Sequence, residues 1–244
     1  MKKILLLIIV VIVIVWWLRQ PPVATPPQTS PSPSDQLASI IFQNKTYRFT
    51  YFTVSDLRHL RLIANTSFED SKTLIERNQC RYLTNGGFYD ENHKPLGWLV
   101  SDGQELSAPI ASRLFDGFLA ISDLSTITFN RPENLPRAAV QSGPMLMFEG
   151  TPLSLRLAND ELRRRVIALL VNDELIFMTV VGQDSELSGP YLSDLPGLVE
   201  AIAGKNGWQV SQAINLDGGT ASAFYTDKVY LEELNPVGSI FCYN

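Results

Sequence analysis

The chain has 244 residues, 45% of them hydrophobic, and the roughly 200 residues outside its apolar N-terminal segment can bury the core of one large or two small domains. Its formal net charge is −5 and it has no long basic run, which is not the composition of a nucleic-acid-binding protein. Its two cysteines, Cys80 and Cys242, lie in no C-x-x-C pattern and no Cys/His cluster, which argues against a zinc site of the usual kind. In an oxidising compartment they can be bridged, and otherwise they are two buried free thiols.

Residues 1–19 have the pattern of a targeting or anchoring segment: two lysines, an apolar run from Ile4 to Leu18, and an arginine. The run is short for a hydrocarbon core of about 30 Å, which favours a signal peptide. No small-x-small cleavage site follows Leu18, however, and Trp16 and Trp17 lie where an interfacial aromatic belt is expected. We therefore predict an uncleaved membrane anchor with the rest of the chain exported, periplasmic or extracellular, and secretion as the alternative.

Residues 20–35 are rich in proline, serine and threonine. Such a composition cannot pack a core and is typical of an extended, semi-rigid spacer that holds a domain away from a membrane surface. The sequence therefore predicts three parts, which are the anchor or signal segment, this linker, and one folded domain over residues 36–244.

The first half of that domain reads as short strands around one helix. Residues 46–54 alternate polar and aromatic side chains, as a half-buried strand does. Residues 67–78 predict a helix that begins with a capping box between Ser67 and Asp70. Residues 96–106 predict a hairpin that turns at Asp102 and Gly103. Further short strands are predicted at 80–84, 117–122, 126–129, 138–142 and 145–150.

The second half contains the clearest hairpin, over residues 164–181, where two apolar runs flank Asn172-Asp173-Glu174. A helix is predicted over residues 191–208, and a strand over residues 212–216 follows it. Many strands with two main helices predict an α+β fold, with mixed, strand-rich sheets in a single domain behind the N-terminal anchor.

Two stretches end an apparent strand with a short polar residue and two glycines: LTNGGFYD at 83–90 and NLDGGTAS at 215–222. Glycine lets a ligand approach the backbone closely, and successive N–H groups in such a loop can bind an anion. Asp217 would supply a carboxylate for acid/base chemistry or for a cation, and Asn85 would orient a sugar hydroxyl or a phosphate oxygen. The alternative is two ordinary turns, because Asn-Gly and Asp-Gly are common hairpin signals. A third glycine-centred turn, QSGPM at 141–145, follows another strand.

Arg163, Arg164 and Arg165 stand at the start of the long hairpin. An arginine there can reach a phosphate with its planar donor fork, and the alternative is a solvated charge cluster. His59 and His93 have no partner pattern and are expected in loops or on the surface. No G-x-S-x-G, H-E-x-x-H or Walker motif occurs, so the best-known hydrolase and nucleotide-binding motifs are absent from the sequence.

Taken together, these pieces resemble the phosphodiester glycosidase family. The resembling segments, in order, are LTNGGFYD, PLGWLVSDGQ, AAVQSGPMLMFEG, RRRVIALLV, a helix preceded by Ser188-Gly189, and AINLDGGTASAFY. NLDGG followed closely by a serine is the most specific piece, and the order and spacing of the set carry the resemblance. The chain departs from the family where its helix opens, because Asp194 stands at the position of the family's glutamate.

The resemblance implies hydrolysis of a sugar–phosphate diester at its glycosidic bond, with release of a phosphomonoester. That reaction needs a carboxylate, donors that hold the phosphate, and polar groups that recognise the sugar. The expected catalytic residues are Asp217 and Asn85. The expected substrate-binding residues are Gly86, Gly87, Ser142, Gly143, Arg164, Arg165, Asn215, Gly218, Gly219 and Ser222. Asp90, Asp102 and Asp184 are further carboxylates that could complete a site.

The expected function is therefore an exported hydrolase that acts on sugar 1-phosphate diesters of envelope or extracellular glycans. Its expected partners are a glycan or sugar-phosphate substrate and, through the N-terminal segment, a membrane, but no nucleic acid. The alternatives are a non-catalytic glycan-binding or envelope module and a metal-dependent phosphodiesterase that cuts the P–O bond. No set of metal ligands can be picked out by spacing, so the cofactor is unknown, with a divalent cation near Asp217 as one option.

Overall fold

The structure is a computed structural model that describes residues 37–122 and 126–244. The predicted anchor at 1–19 and the linker at 20–35 lie outside the described residues. Within those two described ranges, no helix is both long and apolar enough to cross a membrane.

The described chain is rich in strands and has two α-helices. In chain order the strands are β1 (Ala38–Phe42), β2 (Lys45–Val54), β3 (Leu60–Ala64), β4 (Tyr82–Asn85), β5 (Leu99–Ser101), β6 (Gln104–Ser107), β7 (Gly117–Ile121), β8 (Ile127–Thr128), β9 (Ala138–Ser142), β10 (Met145–Phe148), β11 (Thr151–Pro152), β12 (Arg165–Val171), β13 (Glu174–Gly182), β14 (Val210–Asn215), β15 (Phe224–Tyr225), β16 (Tyr230–Leu231) and β17 (Ser239–Tyr243). The α-helices are α1 (Ser71–Asn78) and α2 (Leu195–Asn206). This content agrees with the predicted α+β class.

The strands form three sheets in which the paired neighbours run antiparallel. The largest has the order β1-β2-β13-β12-β14-β10-β11. A second has the order β16-β15-β4-β17-β3, and a third has the order β6-β5-β9-β7-β8. Because β14 lies inside the first sheet and β4 inside the second, the loops that follow these two strands come from different sheets.

The largest sheet is buried on both faces, so its central strands are continuously apolar. One face packs against α2, and Phe49, Ile167 and Leu198 belong to one hydrophobic cluster there. The other face packs against the two smaller sheets, where Phe52 and Phe177 join a second cluster. The prediction that residues 46–54 form a strand is confirmed, but the half-buried pattern is wrong because the tertiary structure covers both faces of β2.

Local sequence signals located the hairpin over 164–181 correctly, as β12 paired with β13. Its turn residues Asn172 and Asp173 have φ values of 49° and 67°, which suit a primed turn. The predicted start of the first helix is wrong. Phe68 has a φ of 54°, which no α-helix accepts, and the Asp70 carboxylate instead caps a helix that begins at Ser71.

A disulfide joins Cys80 to Cys242 across 162 positions of sequence. It ties the residue just after the end of α1 to β17, so it links the helix to the second sheet. Leu74, Leu83 and Ile240 pack around it in a small apolar cluster. Of the two alternatives that the sequence left open for these cysteines, the structure has the bridged one.

Candidate functional site

A cavity of about 430 Å³ opens beside the loop that follows β14. Its polar lining comes from Asn159, Asp160, Glu161, Arg163, Arg165, Asn215 and Asp217. Its apolar lining comes from Phe88, Leu114, Leu157, Ala158 and Leu192, with Gly143 and Gly218 between the two groups. A cavity with a few convergent polar groups among apolar side chains is typical of a small-molecule site.

Asp217 reaches the cavity because side chains alternate along an extended chain. Asn215 and Asp217 both line the cavity, whereas Leu216 between them is buried in the core. The Gly218 amide donates to Asp217 Oδ1 at 2.7 Å. Protein surrounds most of this carboxyl, and the resulting desolvation raises its pKa to about 7, although the Gly218 amide and the charge of Arg163 oppose the shift. Asp217 can therefore gain or lose a proton near neutral pH.

The loop at 83–90 meets the loop at 215–222 through backbone contacts. The Asp217 amide donates to the Gly86 carbonyl at 3.2 Å, and Asn85 Nδ2 donates to the Asp217 carbonyl at 2.9 Å. Asn85 Oδ1 accepts from the Ala223 amide at 3.2 Å. The Asn85 side chain is 1% exposed and does not line the cavity. Its amide therefore holds the Asp217 loop in place.

Three of the four amides in the predicted glycine nest have partners within the protein. The Gly86 amide donates to the Ser239 carbonyl at 2.8 Å, and the Gly219 amide donates to the Arg164 carbonyl at 2.9 Å. The Gly218 amide donates its hydrogen bond to Asp217 Oδ1. A Cβ on Gly87 would lie 2.5 Å from Val140 Cγ2, so close packing requires glycine there. Of these glycines only Gly218 lines the cavity.

Successive side chains also alternate in direction along the three consecutive arginines. Arg163 and Arg165 line the cavity, while Arg164 is fully buried beneath the loop at 219–222. Arg164 Nε donates to Ser222 Oγ at 2.8 Å, and its Nη2 donates to the carbonyls of Ser222 and Glu232. Burial lowers the pKa of Arg164 to about 10. The structure thus gives Arg164 and Ser222 partners within the protein.

Arg165 is buried but borders the cavity. Its Nε donates to the Pro190 carbonyl at 3.1 Å, and its Nη2 donates to the Glu161 carbonyl at 2.6 Å. Burial lowers its pKa to about 10, so it stays charged at neutral pH. Arg163 is more open, with a side chain 52% exposed and paired with the Glu161 carboxylate. Two arginines therefore line the cavity that contains Asp217, and the charge of Arg163 acts on its carboxyl.

Asn215 forms part of the cavity floor with Gly143. Asn215 Nδ2 donates to the Gly143 carbonyl at 2.9 Å. This bond fixes the orientation of the Asn215 side-chain amide. Asn215 Oδ1 is buried and has no partner among the described residues. Ser142 is buried beneath and donates from Oγ to the Asn215 carbonyl at 2.7 Å. Asn215 and Gly143 thus border the cavity, whereas Ser142 lies behind them.

Three lining residues, Arg163, Asp160 and Glu161, were not among the site residues predicted from the sequence. Period-two alternation would have grouped Arg163 with Arg165 and set Arg164 apart. No local signal indicated that the segment between β11 and β12 forms a wall of the cavity. The remaining candidate carboxylates, Asp90, Asp102 and Asp184, do not line it. Across the two described ranges, no group of three or more His, Cys, Asp or Glu side chains could hold a metal ion.

The sequence profile of a family described as phosphodiester glycosidase matches residues 78–241. No curated protein sequence matches the chain. Among solved structures, the catalytic domain of zebrafish N-acetylglucosamine-1-phosphodiester alpha-N-acetylglucosaminidase, auto-inhibited by its pro-peptide, has a TM-score of 0.69 and 17% identity. The match covers 91% of this chain and 86% of that one.

Two bacterial structures are also similar. A Synechocystis protein has a TM-score of 0.57 and 12% identity, with 84% of this chain and 61% of that one covered. A protein of Burkholderia pseudomallei K96243, described as exported, has a TM-score of 0.55 and 11% identity, with 82% and 74% covered. At these identities the structural matches show a shared fold.

Proposed function

The chain belongs to the phosphodiester glycosidase family, and we propose that its cavity hydrolyses the glycosidic bond of sugar 1-phosphate diesters in envelope or extracellular glycans. The observation that carries this proposal is the position of Asp217. Its carboxyl has a pKa of about 7 and lies in a cavity that also receives Arg163 and Arg165. A carboxyl that titrates near neutral pH is suited to proton transfer, and two guanidinium groups are suited to a phosphate.

In the proposed reaction Asp217 is the general base. A water molecule attacks the anomeric carbon while the ionised Asp217 carboxylate removes its proton. The bond between the anomeric carbon and the phosphate oxygen breaks, and its electron pair leaves with the phosphate. The leaving group becomes a phosphomonoester dianion, which needs little protonation, so one acid/base carboxyl is sufficient.

Arg163 and Arg165 are proposed to hold the phosphate before and during departure. The phosphate is anionic before the glycosidic bond breaks as well as while it breaks, so these positive groups bind the substrate and also stabilise the leaving phosphate. Asn215 Oδ1, buried and without a partner among the described residues, is proposed to accept a hydrogen bond from a sugar hydroxyl. These roles replace the earlier assignment of phosphate binding to Arg164 and to the glycine amides.

Export of the domain is part of the proposal. The disulfide between Cys80 and Cys242 is of a kind that persists in oxidising compartments outside the cytoplasm. The apolar run of residues 4–18 supports the same placement from the sequence side, with the domain tethered to a membrane through residues 20–35.

The test is hydrolysis of a methyl diester of α-N-acetylglucosamine 1-phosphate by the full chain. We expect wild type to release free sugar, Asp217→Asn to lose at least about a hundredfold in kcat, and Asp70→Asn, a change in a helix cap away from the cavity, to act as wild type. In ¹⁸O-labelled water, label in the sugar supports cleavage at the anomeric carbon. Label in the phosphate, or tight glycan binding without turnover, contradicts the proposal.

A further inference from the structure

We infer that Asp160 is a positioning residue whose carboxylate fixes Arg165 and one wall of the cavity in the arrangement that receives an anionic phosphate. This inference rests on the proposed function, because it assigns the phosphate to the space beside Arg165. Asp160 lies in the segment between β11 and β12.

The Asp160 carboxylate connects three parts of the chain. Oδ1 accepts from the Leu192 amide at 2.8 Å, and Oδ2 accepts from the Ser193 amide at 2.8 Å. These amides begin the short 3-10 turn that precedes α2. Asp160 Oδ1 also lies 3.4 Å from Arg165 Nη2. A single side chain therefore joins the connecting segment, the entry to a helix and the first residue of β12.

The ion pair between Asp160 and Arg165 is shielded from solvent, with side-chain exposures of 14% and 8%. Water screens such a pair much less than it screens a surface pair. Burial acts to raise the pKa of Asp160, but the Ser193 and Leu192 amides and the charge of Arg165 outweigh it, so the pKa lies below its usual value. The carboxylate is thus ionised at neutral pH and keeps its charge opposite Arg165.

These contacts orient the donor fork of Arg165. Nε is held by the Pro190 carbonyl, and Nη2 is held by the Glu161 carbonyl and by Asp160. Among the described residues, Nη1 has no such partner, and Arg165 lines the cavity. A guanidinium fixed on one edge keeps its other edge available, and little conformational entropy is then lost when an anion binds.

The same carboxylate also holds the cavity wall. The segment that carries Asp160 contributes Leu157, Ala158, Asn159, Glu161 and Arg163 to the lining. Because these residues are mostly exposed, few core contacts hold the segment in place. Without the Asp160 contacts, both the wall and the two arginines would sample more positions, and affinity for an anion would fall.

The test is isothermal titration of the full chain with inorganic phosphate and with α-N-acetylglucosamine 1-phosphate. We expect Asp160→Ala to weaken both by about tenfold, as loss of a partner that orients a ligand-binding group commonly does. Asp160→Asn, which keeps one acceptor but no charge, should lie between it and wild type, and it serves if the alanine variant does not fold. The matched control is Asp70→Ala, which removes a carboxylate that accepts the Thr73 amide at 2.7 Å outside the cavity.

In the diester assay, Asp160→Ala should raise KM about tenfold and change kcat less, a split that general loss of stability would not produce. The inference would be overturned if Asp160→Ala bound phosphate with wild-type affinity, or if Asp70→Ala lost as much phosphate affinity as Asp160→Ala. It would also be overturned if the wild type bound no phosphate. If wild type binds phosphate, loses it in Asp160→Ala and hydrolyses no diester, the positioning role of Asp160 stands and the proposed reaction fails.

Discussion

Asn85 Nδ2 donates to the backbone carbonyl of Asp217 at 2.9 Å, across 132 positions of sequence. The same side chain accepts from the Ala223 amide, so it spans both ends of the loop that carries Asp217. Asn85 ends β4 in the second sheet, whereas Asp217 follows β14 in the largest sheet. One buried amide therefore links the two sheets at the point where the candidate carboxyl enters the cavity.

Replacing Asn85 with alanine tests that relationship. It leaves the Asp217 carbonyl and the Ala223 amide without this partner, and we expect a loss of about 2 kcal/mol in unfolding free energy and at least tenfold in kcat. Urea unfolding and diester kinetics below the unfolding transition measure the two effects. Asn206→Ala, which removes a side-chain bond to the Ile202 carbonyl at the end of α2, is the control and should keep wild-type kcat. An unchanged kcat in Asn85→Ala would show that the loop does not need this anchor.

The raised pKa of Asp217 predicts a pH dependence of the rate. As a general base Asp217 acts when ionised, so kcat should rise with pH up to about 7 and level off above it. Arg163→Gln removes a charge that favours the ionised form, so the midpoint of the profile should move to higher pH. A rate that falls as pH rises through 7 would instead make Asp217 a general acid.

The same pKa predicts how stability depends on pH. Because the folded-state pKa of about 7 lies above the ordinary value of 3.8, the folded chain binds the Asp217 proton more tightly than the unfolded chain does. The stabilisation is complete below pH 4 and is lost as pH rises to 7. Asp217→Asn carries no such penalty, so its Tm should exceed that of wild type at pH 8 by a few degrees, about 2–4 °C per kcal/mol. Equal Tm values at pH 8 would contradict the raised pKa.

Sequence patterns predicted the features that local chemistry determines. Asn172 and Asp173 specify a turn in any context, and an apolar run on each side of them is enough to predict the hairpin. The start of α1 was misplaced because Ser67 and Asp70 can each cap a helix, and the structure uses Asp70 together with a distant contact at Ser71. The Glu233 carboxylate accepts from the Ser71 amide at 2.6 Å, across 162 positions, and no local pattern reports such a partner.

The candidate site was predicted only in part, again because some of its contacts join residues that are distant in sequence. NLDGG indicated Asp217 and Asn215, and both line the cavity. The internal hydrogen bonds of Gly86 and Arg164 could not be predicted from the sequence. A backbone amide or a guanidinium can be assigned to substrate binding as long as its acceptor within the protein is unknown. Those acceptors are the carbonyls of Ser239 and Ser222, which lie far along the chain.

Paired substitutions of Arg163 and Arg164 separate substrate binding from folding. Arg164→Gln breaks buried, charge-assisted bonds to the loop at 219–222, so we expect a loss of more than about 2 kcal/mol in unfolding free energy. Arg163→Gln removes only a surface pair with Glu161, worth about 0–1 kcal/mol, and should instead raise KM for the diester. Urea unfolding and steady-state kinetics on both variants check this. A higher KM in a folded Arg164→Gln than in Arg163→Gln would reverse the assignment.

The disulfide between Cys80 and Cys242 predicts a large dependence of stability on redox conditions. The bridge joins residues 162 positions apart, so its loss frees most of the domain in the unfolded state and should cost about 2–5 kcal/mol. The Cys80→Ser/Cys242→Ser variant, and wild type with dithiothreitol, should both unfold at lower urea concentration than oxidised wild type. Dithiothreitol should leave the double variant unchanged, which separates loss of the bridge from other effects of the reagent. Neither cysteine lines the cavity, so KM for the diester should stay at its wild-type value at urea concentrations below the unfolding transition. Equal urea midpoints for reduced and oxidised chains would mean that the bridge does not form in solution.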